Sequence, residues 1–90
     1  MSEQELSARE LTFGEKAVGL TFNPSNDPLV QGVKEKFAAI IDDLNTMRTA
    51  TQSGEMKRMF SVAITEAQTA QMWAVKAVTW KDSCSWPSNR

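Results

Sequence analysis

Arg9, Phe13, Lys16, Thr21, Asn23, Ser25 and Asn26 gather in the first third of a 90-residue chain. If that stretch is helical, Arg9 and Lys16 lie two turns apart on one face, with Phe13 between them. A ring flanked by two cations suits a phosphate with an attached base: the base stacks on Phe13 and the charges meet the phosphate. The Thr, Asn and Ser side chains that follow can bond phosphate oxygens or base edges. They precede Asp27-Pro28, a helix start, where free N–H groups and a partial positive charge favour anions. A simpler reading competes. Phe13 is core, Lys16 is a solvated charge, and Asn and Ser only form a turn. Asp27, as the cap, takes up N–H groups that an anion would want. On the residues alone the simpler reading weighs more.

Catalysis finds little to work with. The sequence has no His, no Tyr and one Cys. The usual neutral-pH acid–base group is missing, and there is no Cys/His metal spacing or Gly-rich phosphate motif. Asp42 and Asp43 are adjacent carboxylates, but neighbours on a helix point about 100° apart. The expectation is a non-enzyme with no cofactor and no metal. Ten basic and 11 acidic residues give a net charge of -1, which argues against duplex nucleic acid as a partner. Hydrophobic residues are 41% of the chain and charged residues 23%, as in a folded domain. Cys84 has no intrachain partner, which fits a reducing compartment. The polar, acidic start "MSEQELSARE" does not look like a signal peptide, and no apolar run approaches a membrane span. Together these predict a single domain over 1–90, acting in the cytoplasm and not in a membrane.

The elements that would position the loop are helices, so the fold class is all-α. Ser7 and Glu10 fit a capping box for a short helix from about Ala8 to Leu20. Gly14 and Gly19 weaken it, and Gly19 suits its end. A loop from Thr21 to Asp27 follows, and Pro24 disfavours helix at Asn23. Asp27 caps a second helix that starts at Pro28 and runs to about Thr51. Val30, Val33, Phe37, Ile40, Leu44 and Met47 make a heptad seam along it. Ser53-Gly54 is a turn. A third helix runs from Glu55 to about Lys81, with the seam Met56, Phe60, Ala63, Ala67, Ala70, Ala74 and Ala77. Residues 1–6 and 82–90 read as loose termini, the latter because Pro87 and its polar neighbours stop a helix. The expected architecture is a short N-terminal helix plus a long antiparallel helical hairpin. Met59, Ile64, Met72, Trp73, Val75 and Trp80 lie off the alanine seam, so leftover apolar surface predicts assembly as a homo-oligomer. The alternative is a monomer in which the first helix covers that surface.

Two stretches, "GEKAVGLTFNPSND" and "AITEAQTAQMWAVKAVTW", resemble the small phage anti-CBASS proteins. Those are sponges that sequester cyclic oligonucleotide signals and share a helical hairpin with the Thoeris anti-defence sponges. The resemblance spans about Leu11 to Lys81. It implies a compact homo-oligomer, a hexamer of helical protomers, with a nucleotide pocket between protomers near the first helix and loop. It also implies binding without cleavage of cyclic dinucleotides, with cyclic trinucleotides as a further candidate. This chain lacks the Tyr of some members, which leaves Phe13 as the candidate stacking ring.

Trp73, Lys76 and Trp80 admit two readings. They form either a stacking pair around a cation or a packing surface for a neighbouring protomer, with the Lys76 stem on the rings. The heptad spacing favours packing. Three functions therefore compete: a cyclic-oligonucleotide sponge, a helical oligomer that binds another protein, and a single-strand binder that stacks bases. The near-neutral charge counts against the last.

Overall fold

The structure, a computed structural model, describes residues 9–81. The expected Ser7 cap and the loose termini at 1–6 and 82–90, with Cys84, lie outside the described residues. Within them the chain is all-helical: α1 is Phe13–Ala17, α2 is Pro28–Ala50 and α3 is Gly54–Val78. α2 and α3 form the long hairpin, and α1 packs along α2.

The caps explain the boundaries. α1 starts five residues later than Ser7 would place it, because Thr12 and Glu15 form the capping box. The Glu15 N–H donates to Thr12 Oγ1 at 3.1 Å, and the Thr12 N–H donates to Glu15 Oε1 at 2.9 Å. Two orphan donors are thereby satisfied reciprocally. The helix ends within five residues, and Gly19 then turns the chain at a φ of 63° that glycine adopts at low cost. Asp27 caps α2 through the Leu29 N–H at 2.9 Å, with Pro28 in the first turn. Ser53 caps α3 through the Met56 N–H at 3.1 Å.

The core differs from the expected seams by a rotation. Val18, Leu20, Ala38, Ile41 and Ile64 form one buried cluster, with Phe37, Leu44 and Ala67 packed against it. On α2 the buried line is Val30, Lys34, Ala38 and Ile41, whereas Ile40 and Met47 of the expected seam are exposed. The cause is α1. It packs on α2 as α3 does, so the most buried stripe of α2 is the one between two neighbours. On α3, Ile64 and Gln71 are buried, Ala63, Ala67 and Ala74 are half-buried, and Ala70 and Ala77 face outward. A charge on Ala70 would therefore not strike the hairpin core.

Gly14 sets how closely α1 approaches α2. Its N–H donates to Asp42 Oδ1 at 2.7 Å. A Cβ there would stand 2.1 Å from the Ala38 carbonyl oxygen, which is backbone and cannot swing aside. Alanine would gain about 1 kcal/mol of helix propensity, but overpacking of this kind costs about 1–3 kcal/mol or more. Gly14→Ala is therefore expected to lower stability. Gly32→Ala is expected to raise it by about 0.5–1 kcal/mol, because nothing lies within 4 Å of a Cβ there. Urea denaturation of both variants checks the opposite signs, and a stable Gly14→Ala protein would contradict this packing.

Candidate functional site

The expected site residues separate into two groups. At the α1 end, Arg9 is not on a helix. Its guanidinium forms a two-pronged ion pair with Glu15, with Nη1 to Oε1 at 2.9 Å and Nη2 to Oε2 at 2.8 Å. The two-turn spacing with Lys16 is therefore not realised, and Arg9 is occupied. Phe13 is partly exposed. The Arg48 guanidinium stands 5.5 Å from its ring centroid, and the same Arg48 donates to Asn45 at 2.7 Å and to Ser61 at 3.0 Å. Phe13 thus presents one ring face to a cation held between the long helices. Lys16 is exposed, and among the described residues its side chain makes no hydrogen bond or ion pair.

The loop residues form the other group. Asn23 is built into the turn: its Nδ2 donates to the Asp27 carbonyl at 3.1 Å, and its Oδ1 accepts from the Asp27 N–H at 3.2 Å. Asn26 takes a positive φ of 57°, a left-handed conformation that Asn tolerates. Thr21, Ser25 and Asn26 are exposed. Asn23 also approaches Gln31 on α2. From Gln31 to Arg48 beside Phe13, the helix rises about 25 Å at about 1.5 Å per residue. Phe13 and Asn23 of one protomer therefore cannot grip the same phosphate.

Three side chains missed in the sequence shape this region. Lys34 is 5% exposed. Its ammonium donates to the Gly19 carbonyl at 2.9 Å and to the Phe22 carbonyl, and lies 5.5 Å from the Phe22 ring centroid. Burial lowers its pKa below the ordinary lysine value. A signal existed: a lysine four residues from both Val30 and Ala38 on an otherwise apolar stripe. Asp42 and Arg48 are the others, one docking α1 and one bridging three helices.

Phe22, Val30 and Val75 wall a cleft of about 230 Å³ between the loop, the start of α2 and the end of α3. Lys34, Ser25 and Thr79 also line it. A second hollow lies between Trp73, Lys76 and Trp80, with the Lys76 ammonium 5.3 Å and 6.0 Å from the two ring centroids. No cluster of metal-ligating side chains occurs among the described residues.

The family model for the Acb2/Tad1 hairpin domain matches residues 15–79, from α1 through the loop and both long helices. The chain belongs to this family. It is the anti-CBASS and anti-Thoeris sponge family that the two stretches resemble. No curated protein and no solved structure matches the chain. The Acb2/Tad1 match takes in Lys16, Thr21, Asn23, Ser25 and Asn26 and begins after Arg9 and Phe13.

The ion pair makes one local prediction. Hydrogen bonds from Arg9, and then the Thr12 N–H, hold the Glu15 carboxyl below its ordinary value of 4.5. A depressed acid contributes stability that is present above the unfolded value and lost as pH falls through the folded one. The Glu15 carboxyl is expected to titrate below 4.5, and Arg9→Ala is expected to raise its midpoint. Carbon-13 NMR of the carboxyl across pH 2–7, a range spanning about two units either side of an ordinary carboxylate, reads both. An unmoved midpoint would contradict the pairing.

Proposed function

We propose that this chain is a non-enzymatic sponge that binds cyclic di- and trinucleotide immune signals in the host cytoplasm and lets a phage evade CBASS-type defence. The observation that carries the reading is the family match across 15–79. The composition agrees with holding a ligand rather than cutting it, since the sequence supplies no histidine to act near neutral pH. No helix among the described residues is long and apolar enough to cross a membrane, as cytoplasmic action requires of these helices.

The site is proposed at contacts between copies. Thr21, Asn23, Ser25 and Asn26 lie on the loop, whereas Arg9, Phe13 and Lys16 lie at the α1 end. A ligand that meets both groups does so where two protomers adjoin. Self-association, with a hexamer as the expected size, is supported by exposed Ile40, Met47, Met59, Met72, Trp73 and Trp80. In this reading the Trp73–Lys76–Trp80 face packs a neighbour. The competing reading, a helical protein-interaction module without a nucleotide, rests on the same exposed apolar surface.

Calorimetry with cyclic dinucleotides separates the two, because the absence of heat with every cyclic nucleotide would favour the interaction module. Lys16→Ala is expected to weaken binding by about 1.5–3 kcal/mol, the range for hydrogen bonds to charged groups. That is about tenfold to 150-fold in affinity. Light scattering should show the oligomer intact. Unchanged affinity in that variant would place the phosphate elsewhere.

A further inference from the structure

We infer that the side of α2 facing away from α1 is a seam for a second copy of this chain, packed α2 against α2 in antiparallel with Ile40 at the two-fold axis. The stripe is Val33, Ile40 and Met47, spaced seven residues apart. Two helical turns separate each from the next, so the three share one face over about 21 Å at about 1.5 Å per residue. Ile40 is 50% and Met47 45% exposed, and Val33 is half-buried. Asp42, which docks α1, is two residues from Ile40 and so points about 160° away from it. Large apolar side chains at heptad spacing are what a helix presents to a partner helix. Within the protomer α1 and α3 pack on other lines of α2, around Ala38 and Ile41.

The charges name the occupant. Lys36 lies four residues before Ile40 and Asp43 three after it. At about 100° per residue both fall within about 60° of the stripe, on the same flank. Both are exposed, and neither makes a hydrogen bond or ion pair among the described residues. A second α2 turned antiparallel about Ile40 sets Lys36 of each copy beside Asp43 of the other, and sets Val33 against Met47. A parallel copy would set Lys36 level with Lys36 and Asp43 level with Asp43. The pattern is therefore complementary to itself in one orientation, as an isologous interface requires. Flanking charges of this kind fix orientation more than affinity. At one end of the stripe Leu44, Met56, Met59, Phe60 and Ala63 line an apolar hollow of about 270 Å³. Its methionine walls can reshape around a guest. The antiparallel pairing brings Val33 and Leu29 of the second copy to this end, and Leu29 is 68% exposed.

The inference rests on the self-association proposed above and names a surface that carries it; Lys16 and the 21–26 loop are not part of it. Wild type and variants are sized by light scattering at micromolar concentration, with helical content followed by circular dichroism. Ile40→Lys places like charges at the two-fold axis on a side chain already half-exposed in the protomer. It is expected to lower the assembled mass with helical content unchanged. Lys36→Asp and Asp43→Lys are each expected to weaken assembly by roughly tenfold, and the double variant to restore it. Cross-linking by oxidised glutathione, in a Cys84→Ser background, reads the orientation. Ile40→Cys is expected to link to itself, and Val33→Cys to link to Met47→Cys but not to itself. Assembly unchanged in Ile40→Lys, with no cross-link from Ile40→Cys, would overturn the seam and leave self-association to the Trp73–Lys76–Trp80 face. Val33→Cys linking to itself would overturn the antiparallel orientation. A monomeric wild type would overturn both the seam and the self-association, leaving the stripe to a different protein. Cyclic-dinucleotide calorimetry on the same samples judges the nucleotide reading separately.

Discussion

The Lys34 ammonium is the point on which the candidate site depends. α1 and its loop are too short to hold a shape alone, since a five-residue helix is far below the length at which isolated helices persist. They are pinned to α2 at two places. Asp42 receives the Gly14 N–H at one end, and Lys34 reaches the carbonyls of Gly19 and Phe22 at the other. Charge-assisted hydrogen bonds of the second kind contribute about 1.5–3 kcal/mol each. Burying the cation costs several kcal/mol in return. The two nearly cancel, so the pin fixes geometry more than it adds stability. That geometry holds Phe22 and Ser25 at the mouth of the cleft.

The rest of the fold follows from packing two helices, α1 and α3, on one long helix. α2 buries Ala38 and Ile41 between α1 and α3. Small residues lie where backbones approach, at Gly14 and Ala38, and Phe37, Ile41 and Leu44 join Ile64 and Ala67 of α3 in the core. What remains outside is a set of large apolar side chains on both long helices. On the proposed reading they pack against other copies. Such an assembly would also bring the α1 end of one protomer toward the loop of another, which a single chain cannot do across about 25 Å.

Much of this was legible in the sequence and some was not. Asp27-Pro28 marks the start of α2 because capping chemistry is local, and the Ser53-Gly54 turn falls where Ser53 caps α3. Heptad spacing gave the hairpin. It gave the wrong line on α2 because a two-helix seam assumes one neighbour, whereas Val30, Lys34, Ala38 and Ile41 lie between two. Ser7-Glu10 and Thr12-Glu15 both satisfy the capping pattern, and only the docking of Gly14 on Asp42 chooses between them. Spacing marks Arg9 as a ligand contact because it cannot show that Glu15 occupies the guanidinium. Lys34 is not legible in the sequence because a lysine on a helix is ordinarily solvated; its burial depends on carbonyls 12 and 15 residues away.

Sequestration differs from hydrolysis in the fate of the ligand, and that is the most direct test of the account. A complex formed with cyclic di-AMP and incubated at neutral pH is heat-denatured, and the released nucleotide is separated by chromatography. The account predicts recovery of the intact cyclic compound in the amount bound. A linear product accumulating with time would contradict it and show a phosphodiesterase.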